Sequence, residues 1–439
     1  MSFSVRGQNV TVAGAARSGI AAALLLSERG ARVTLTDARP ELDSAEMSRL
    51  RESLVTLELG GPRLETFTSA DLLVLSPGIP LDQPQIAAAR DAGVPIIGEI
   101  ELASRWLSGR IVAITGTKGK STTTTLTGHM FAAGGLKALV GGNIGTPLSS
   151  QVAASTPDTF HIVEVSSFQL ETTETFHPWI AVLLNLSSDH LDRHGSMDAY
   201  GAAKAKIFAN QTPEDWAVIN ADDPQTLALA RAGRARTVSF SAGTHLVPLS
   251  SIRLIGRHLL ADVMAAATVA QIAGVPNEAM VRAVESFTGL EHALEPVAVV
   301  NGVRFVNDSK ATNVEAAQRA IESFDRGLVA IMGGRFKSGD FALLRDPLRS
   351  RDAKVIAIGE ATSMIRQALD GAVQVEVAAT LEGAVRRAYE LARAERPNGV
   401  VLLAPACASF DMFRDYAERG RAFKNEVLSL VEENNSRER

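Results

Sequence analysis

The sequence predicts an α/β protein of three domains in series, on two observations. Short apolar runs rich in Val, Ile and Leu alternate with longer helical patterns along most of the chain. That alternation is the mark of parallel sheets covered by helices on both faces. The chain has 439 residues, and at about 150 residues per domain this length suggests three. Hydrophobic residues make up 46% and charged residues 21%, ample for several cores.

The first unit opens with a strand at Asn9 to Ala13, a glycine turn, an Ala-rich helix from Gly19 to Arg29 and a strand from Arg32 to Thr36 that ends at Asp37. The segment GVPIIGEIE then leads into a second unit, whose first strand is Ile111 to Thr115 and which extends to about Phe287. Strands near Val299 to Val306, Leu328 to Met332, Val355 to Ile358 and Val400 to Leu403 build a third, doubly wound unit. The expected domains are therefore 1–96, 97–288 and 289–439, with VEENNSRER as a frayed, charged tail.

Lys and Arg total 44 and Asp and Glu 49, a net charge of −5. This argues against a nucleic-acid-binding surface and against a polybasic membrane anchor. One cysteine, Cys407, excludes an intrachain disulfide and a Cys-rich zinc site. A reducing cytoplasm is expected, because the N-terminus lacks an apolar signal core and no run approaches a membrane span.

The most informative segment is AITGTKGKSTTTTLTGHM, residues 113–130. A hydrophobic strand runs into Gly116, Thr117, Lys118, Gly119, Lys120, Ser121 and Thr122, where a helix begins. Glycines let backbone N–H groups approach phosphate oxygens, and the helix N-terminus adds positive potential. Lys120 suits terminal phosphates and the Ser121 hydroxyl suits Mg²⁺. Only two residues separate Gly116 from Gly119, a shortened form of the common loop.

FHIVEVSSFQLE reads as a strand with Glu164 at its C-terminal end. A strand from Trp179 to Leu186 empties into SSDHLDRHG, offering Asp189, His190, Asp192 and His194. A carboxylate and an imidazole at neighbouring strand ends could hold Mg²⁺, and each also suits a salt bridge or a cap. In the helix that begins near Ser196, Tyr200 and Lys204 share a face. Spacing alone gives Lys204 no role beyond a solvated helical lysine.

GTKGKSTTTTLTG, EVSSFQLE, LLNLSSDHLDRHG and YGAAKAKIF together resemble the Mur ligase family, and VGGNIGTP, FVNDSKATN and LLAPACASFD extend the resemblance along the chain. It implies a Rossmann-like UDP-substrate domain, a central P-loop ATPase domain and a Rossmann-like C-terminal domain that closes over the site. SSFQLE favours the member that joins D-glutamate to UDP-N-acetylmuramoyl-L-alanine. ATP would phosphorylate the substrate carboxylate, and the D-glutamate amine would attack the acyl phosphate through a tetrahedral intermediate.

By the same resemblance, Lys120 and Ser121 match phosphate and metal positions, and Glu164 and His190 match metal-site residues. Lys204 aligns with a lysine that the family carbamylates, an ammonium turned by CO₂ into an anion that serves a cation site. Asp37 and Arg39 match the uridine-holding positions, and Asn143 a position near the sugar-linked substrate. Asp308 matches a nucleotide contact. Lys310, Thr312, Lys337 and Ser409 match the D-glutamate and closing-domain positions.

Three residues depart from the family pattern. Its HNxxN appears as His258, Leu259 and Asp262, and its HRxE as His292, Ala293 and Glu295. An ionised Asp262 cannot donate as an asparagine amide does, and Ala293 removes a cation. Each lost charged hydrogen bond costs on the order of 1.5–3 kcal/mol, so weakened ATP binding is expected. Alternative readings are a nucleotide-binding variant that no longer ligates and another Mur or folylpolyglutamate synthase-like ligase. A dinucleotide-dependent dehydrogenase would explain residues 9–37, but Ala16 breaks its glycine pattern and the phosphate loop would stand idle. A monomer is expected.

Overall fold

The computed structural model describes residues 3–230, 233–252, 259–394 and 399–437. They fall into two compact units that divide between Phe287 and Thr288.

The first unit holds two sheets. β1 (Asn9–Ala13), β2 (Arg32–Asp37), β3 (Thr56–Leu59), β4 (Leu72–Leu75) and β5 (Ile96–Gly98) pair in parallel in the order β3-β2-β1-β4-β5. Alternate residues of β1 serve opposite cores: Val10 and Val12 pack with Val33, Leu35 and Leu50, while Ala13 packs with Leu75 and Ile86. β5 pairs Gly98 with Leu75, so a division at 96/97 falls inside the last strand of this sheet.

The second sheet contains β6 (Arg110–Thr115), β7 (Ala138–Gly142), β8 (Phe160–Glu164), β9 (Ile180–Leu183), β10 (Trp216–Asn220) and β11 (Arg236–Phe240). Its order is β11-β10-β9-β6-β8-β7 and every pair is parallel. The helix Leu259–Ile272 packs against the helix Lys120–Ala133 that follows β6. β9 is shorter than the expected Trp179 to Leu186, because residues from Leu184 onward turn toward the phosphate loop.

The second unit is one sheet of β12 (Glu295–Val300), β13 (Val303–Asn307), β14 (Leu328–Gly333), β15 (Lys354–Ile358), β16 (Gln374–Val377) and β17 (Val400–Leu403), in the order β12-β13-β17-β14-β15-β16. The single strand expected near Val299 to Val306 is a hairpin, with β12 antiparallel to β13. Asn301 and Gly302 both have positive φ, 49° and 81°, the backbone a tight hairpin turn demands. The tail is also ordered: a helix covers Tyr416–Arg437. It buries Phe423, Val427 and Leu430, and Arg386 pairs with Glu433 at 2.8 Å. Among the described residues no helix is long and apolar enough to cross a membrane.

The two sheets of the first unit are joined through Glu101, a buried carboxylate of the helix Glu99–Ser104. It accepts from the backbone N–H groups of Glu174, Thr175 and Phe176, from the Thr175 hydroxyl and from Arg105. Burial pushes its pKa up, but the bonds from Thr175, Glu174 and Arg105 outweigh burial and hold it below the ordinary glutamate value. Its contribution is therefore full above the unfolded glutamate value and is lost as pH falls through the lower folded value. Glu101→Ala is expected to destabilise the first unit by about 3 kcal/mol, read as an earlier urea midpoint. The deficit should shrink in acid.

Candidate active site

β9, β6, β8 and β7 are neighbours, so the segments leaving their C-terminal ends converge, where parallel sheets place ligands. From β6 comes the phosphate loop. Gly119 caps the helix Lys120–Ala133 with φ +81°, and a Cβ there would lie 2.0 Å from Asp262 Oδ1. Glycine is therefore required on both counts. Lys120 Nζ donates to the carbonyls of Gly116 (2.9 Å) and Thr117 (2.8 Å). Ser121 Oγ donates to Glu164 Oε2 at 2.6 Å, and Asn143 Nδ2, just past β7, donates to Glu164 Oε1 at 2.8 Å. Ser121 and Asn143, chosen from separate motifs, thus share the carboxylate of Glu164. Thr122 lies in the first turn of the same helix.

Lys204 departs from the solvated lysine that helical spacing suggests. It is 1% exposed, donates to Gly116 O at 2.8 Å and lies 4.7 Å over the Tyr200 ring. Burial first, and then the neighbouring Lys120 ammonium, lower its pKa to about 7. The Tyr200 hydroxyl meets Thr117 Oγ1 at 3.2 Å.

His190, at φ 53°, stands half-exposed 3.8 Å from Asp189 and against the Phe168 ring. His194 is tucked inward, bonded to Ser167 at 3.0 Å and stacked on Phe168. Arg193 covers the same ring at 4.0 Å. Among the described residues no three His, Cys, Asp or Glu side chains gather as a self-sufficient metal site. The Ser121 hydroxyl and the Glu164 carboxylate are hard oxygen donors, which fit Mg²⁺, an ion that keeps several waters and borrows substrate phosphate oxygens.

At the C-terminal edge of the first sheet, Asp37 binds Arg39 at 2.9 Å and accepts the Ala15 N–H. Burial raises its pKa, yet these bonds prevail and set it at about 2. In the second unit, Lys310 and Thr312 follow β13, Lys337 follows β14 and Ser409 follows β17, three adjacent strands. Lys310 and Lys337 are exposed, and Ser409 is buried. Burial raises the Asp308 carboxyl to about 7, although it accepts the Leu294 N–H.

Two further contributors were not among the candidate residues: Asn185, which stands inside the LLNLSSDHLDRHG segment, and Arg419, which stands outside all of the motifs. Asn185 Oδ1 accepts the backbone N–H groups of Thr117 and Lys118. Arg419, 1% exposed, binds Ser309 Oγ and the carbonyls of Ser309 and Cys407. It thereby ties together the segments after β13 and β17.

Asp262 is buried against Gly119, which places the departure beside the Gly116–Thr122 loop; His258 lies outside the described residues.

Two parallel sheets, the second carrying the Gly116–Thr122 loop at its strand ends, are thus followed in the chain by a third α/β sheet. The Mur ligase MurD-like N-terminal domain matches residues 8–98, the Mur ligase middle domain 114–270 and the Mur ligase glutamate ligase domain 294–407. The chain belongs to the Mur ligase family. Its relatives include the UDP-N-acetylmuramoylalanine--D-glutamate ligase of Acidobacterium capsulatum, 46% identical across 97% of both chains. That of Koribacter versatilis is 43% identical over 98% of this chain and 99% of its own. In fold, the chain is similar to the UDP-N-acetylmuramate-alanine ligase of Thermotoga maritima, with a TM-score of 0.58, 18% identity and coverage of 96% and 99%.

Burial pushes the Asp262 carboxyl up to about 7 against the opposing pull of Lys120. It is neutral below that pH and anionic above it, where it would repel bound phosphates. ATP affinity should fall as pH rises through 7, and Asp262→Asn should flatten the profile in calorimetry.

Proposed function

We propose that the protein joins the L-alanyl carboxyl of UDP-N-acetylmuramoyl-L-alanine to the amine of D-glutamate, driven by ATP, in peptidoglycan precursor synthesis. The observation that carries this reading is the near-full-length identity to relatives of that name. The convergence of Lys120, Ser121, Glu164 and Asn143 supports it.

In this reading the loop from Gly116 to Thr122 holds ATP, with Lys120 and the helix N-terminus facing its phosphates. Mg²⁺ would be held by Ser121 and Glu164, with His190 and a carbamate on Lys204 completing the site, and it would neutralise phosphate charge. Asp37 and Arg39 hold the uridine end of the substrate, and Asn143 and His190 its muramoyl-alanyl end. The substrate carboxylate oxygen bonds to the γ-phosphorus as ADP leaves. The D-glutamate amine then adds to the acyl carbon, loses a proton, and phosphate departs. Lys310 and Lys337 supply ammonium groups for the two carboxylates of D-glutamate, with Thr312 and Ser409 as hydroxyl donors. Asp308 serves the nucleotide.

The three-domain division belongs to this proposal: a UDP-substrate domain over 1–96, a central ATP-binding domain over 97–288 and a C-terminal amino-acid-binding and closing domain over 289–439. So do a cytoplasmic location and a monomeric state. In this reading Leu259, Asp262 and Ala293 weaken ATP binding or turnover, while the UDP-substrate site is kept.

With Mg²⁺ and ATP, ADP release should require both UDP-N-acetylmuramoyl-L-alanine and D-glutamate, and mass spectrometry should find the dipeptide product. Measurable UDP-substrate binding with no release would favour a non-ligating variant. Lys204, with its pKa near 7, has a large neutral fraction at physiological pH, and the neutral amine is the form that reacts with CO₂. Carbon-13 bicarbonate should give a carbamate signal that strengthens above pH 7 and is absent in Lys204→Met.

A further inference from the structure

Between its first glycine and its Gly-Lys pair, the common phosphate loop carries four residues that wrap the phosphates. Here that span is Thr117 and Lys118 alone. Two residues cannot both wrap an anion and close the turn from β6 into the helix, so part of the loop must be braced from outside.

The brace comes from β9, the strand beside β6, through the second residue beyond its end. Asn185 Oδ1 accepts the Thr117 N–H at 3.1 Å and the Lys118 N–H at 2.9 Å, and Asn185 Nδ2 returns a bond to Lys118 O at 3.0 Å. The Asn185 carbonyl also accepts from Thr117 N–H at 3.1 Å. A single carboxamide therefore satisfies both faces of the short span. The segment around it is fixed in turn: Leu186 N–H donates to Asp223, Ser187 N–H to Thr117 Oγ1, and Asn220 Nδ2 to Leu184 O. With the Thr117 and Lys118 amides engaged by Asn185, the amides at the start of the helix, before the ladder that begins at Thr123 N–H to Gly119 O, are the ones left for an anion.

We infer that Asn185 is a positioning residue that stands in for the two missing loop residues, holding the loop ready for nucleotide before the nucleotide arrives. The inference rests on the reading of this loop as the ATP site. It assigns Asn185 no contact with the reacting atoms.

The test uses the full chain, the non-hydrolysable analogue AMP-PNP with Mg²⁺, calorimetry, and hydrogen-exchange mass spectrometry of the loop peptide. Asn185→Ala should bind AMP-PNP about tenfold more weakly and exchange its loop amides faster. KM for ATP should rise while KM for the UDP-substrate stays at the wild-type value. Asn185→Asp keeps the Oδ1 acceptor for the two amides but loses the Nδ2 donor to Lys118 O, so its loop amides should exchange more slowly than those of Asn185→Ala, while its added charge weakens nucleotide binding. Wild-type nucleotide affinity in Asn185→Ala would overturn the inference, as would unchanged exchange in Asn185→Ala or exchange in Asn185→Asp as fast as in Asn185→Ala. A wild-type chain that binds no AMP-PNP would instead sink the nucleotide reading itself.

Discussion

Two lysine ammonium groups converge on the carbonyl oxygen of Gly116, Lys120 from the loop helix and Lys204 from a helix after β9. Much of the central site follows from that crowding. Burial, and then the Lys120 charge beside it, loosen the proton of Lys204, which is 1% exposed. Because Gly116 and Thr117 direct their carbonyls at lysines, the turn presents its amides elsewhere: two to Asn185, the later ones along the helix start. The loop's geometry and the chemistry of Lys204 are thus one constraint seen from two sides.

The C-terminal unit answers a similar problem with a different device. Three adjacent strands end in loops that carry the residues assigned to D-glutamate, and short loops of this kind need an internal anchor. Arg419 provides it by donating to Ser309 and Cys407 from complete burial, with no carboxylate as partner in those bonds. Burial lowers its pKa only to about 10, so it stays charged, and carbonyl dipoles carry the charge. A rigid base of this type suits loops that must present exposed Lys310 and Lys337 without collapsing on them.

The sheets were legible in the sequence because parallel strands buried on both faces are written as continuous apolar runs; β1 and β17 match their expected bounds. The hairpin of β12 and β13 was not, since its two strands read as one run unless Asn301-Gly302 is taken as a turn. The tail helix escaped for a related reason. VEENNSRER looks polar and loose in isolation, and its order comes from distant partners such as Arg386 and Asn301. At the site, Lys120, Ser121 and Glu164 stand in contiguous motifs and could be chosen from them. Asn185 stands inside the LLNLSSDHLDRHG segment, yet its bonds go to backbone amides that residue types do not specify; Arg419 stands outside every motif, and the burial of Lys204 depends on tertiary packing that helical spacing cannot reveal.

Glu101 has a consequence for the order in which the chain is made. Its partners lie as many as 75 residues downstream, at Phe176. While the polypeptide is still emerging from the ribosome, the first sheet can assemble, but the Glu101 carboxylate then has Arg105 and water as partners and lacks the downstream amides that bury it. That helix can dock only after β8 and the turn beyond it have been synthesised. The N-terminal sheet is therefore finished by residues belonging to its successor, and a nascent chain halted before Phe176 would present an open seam to chaperones and proteases.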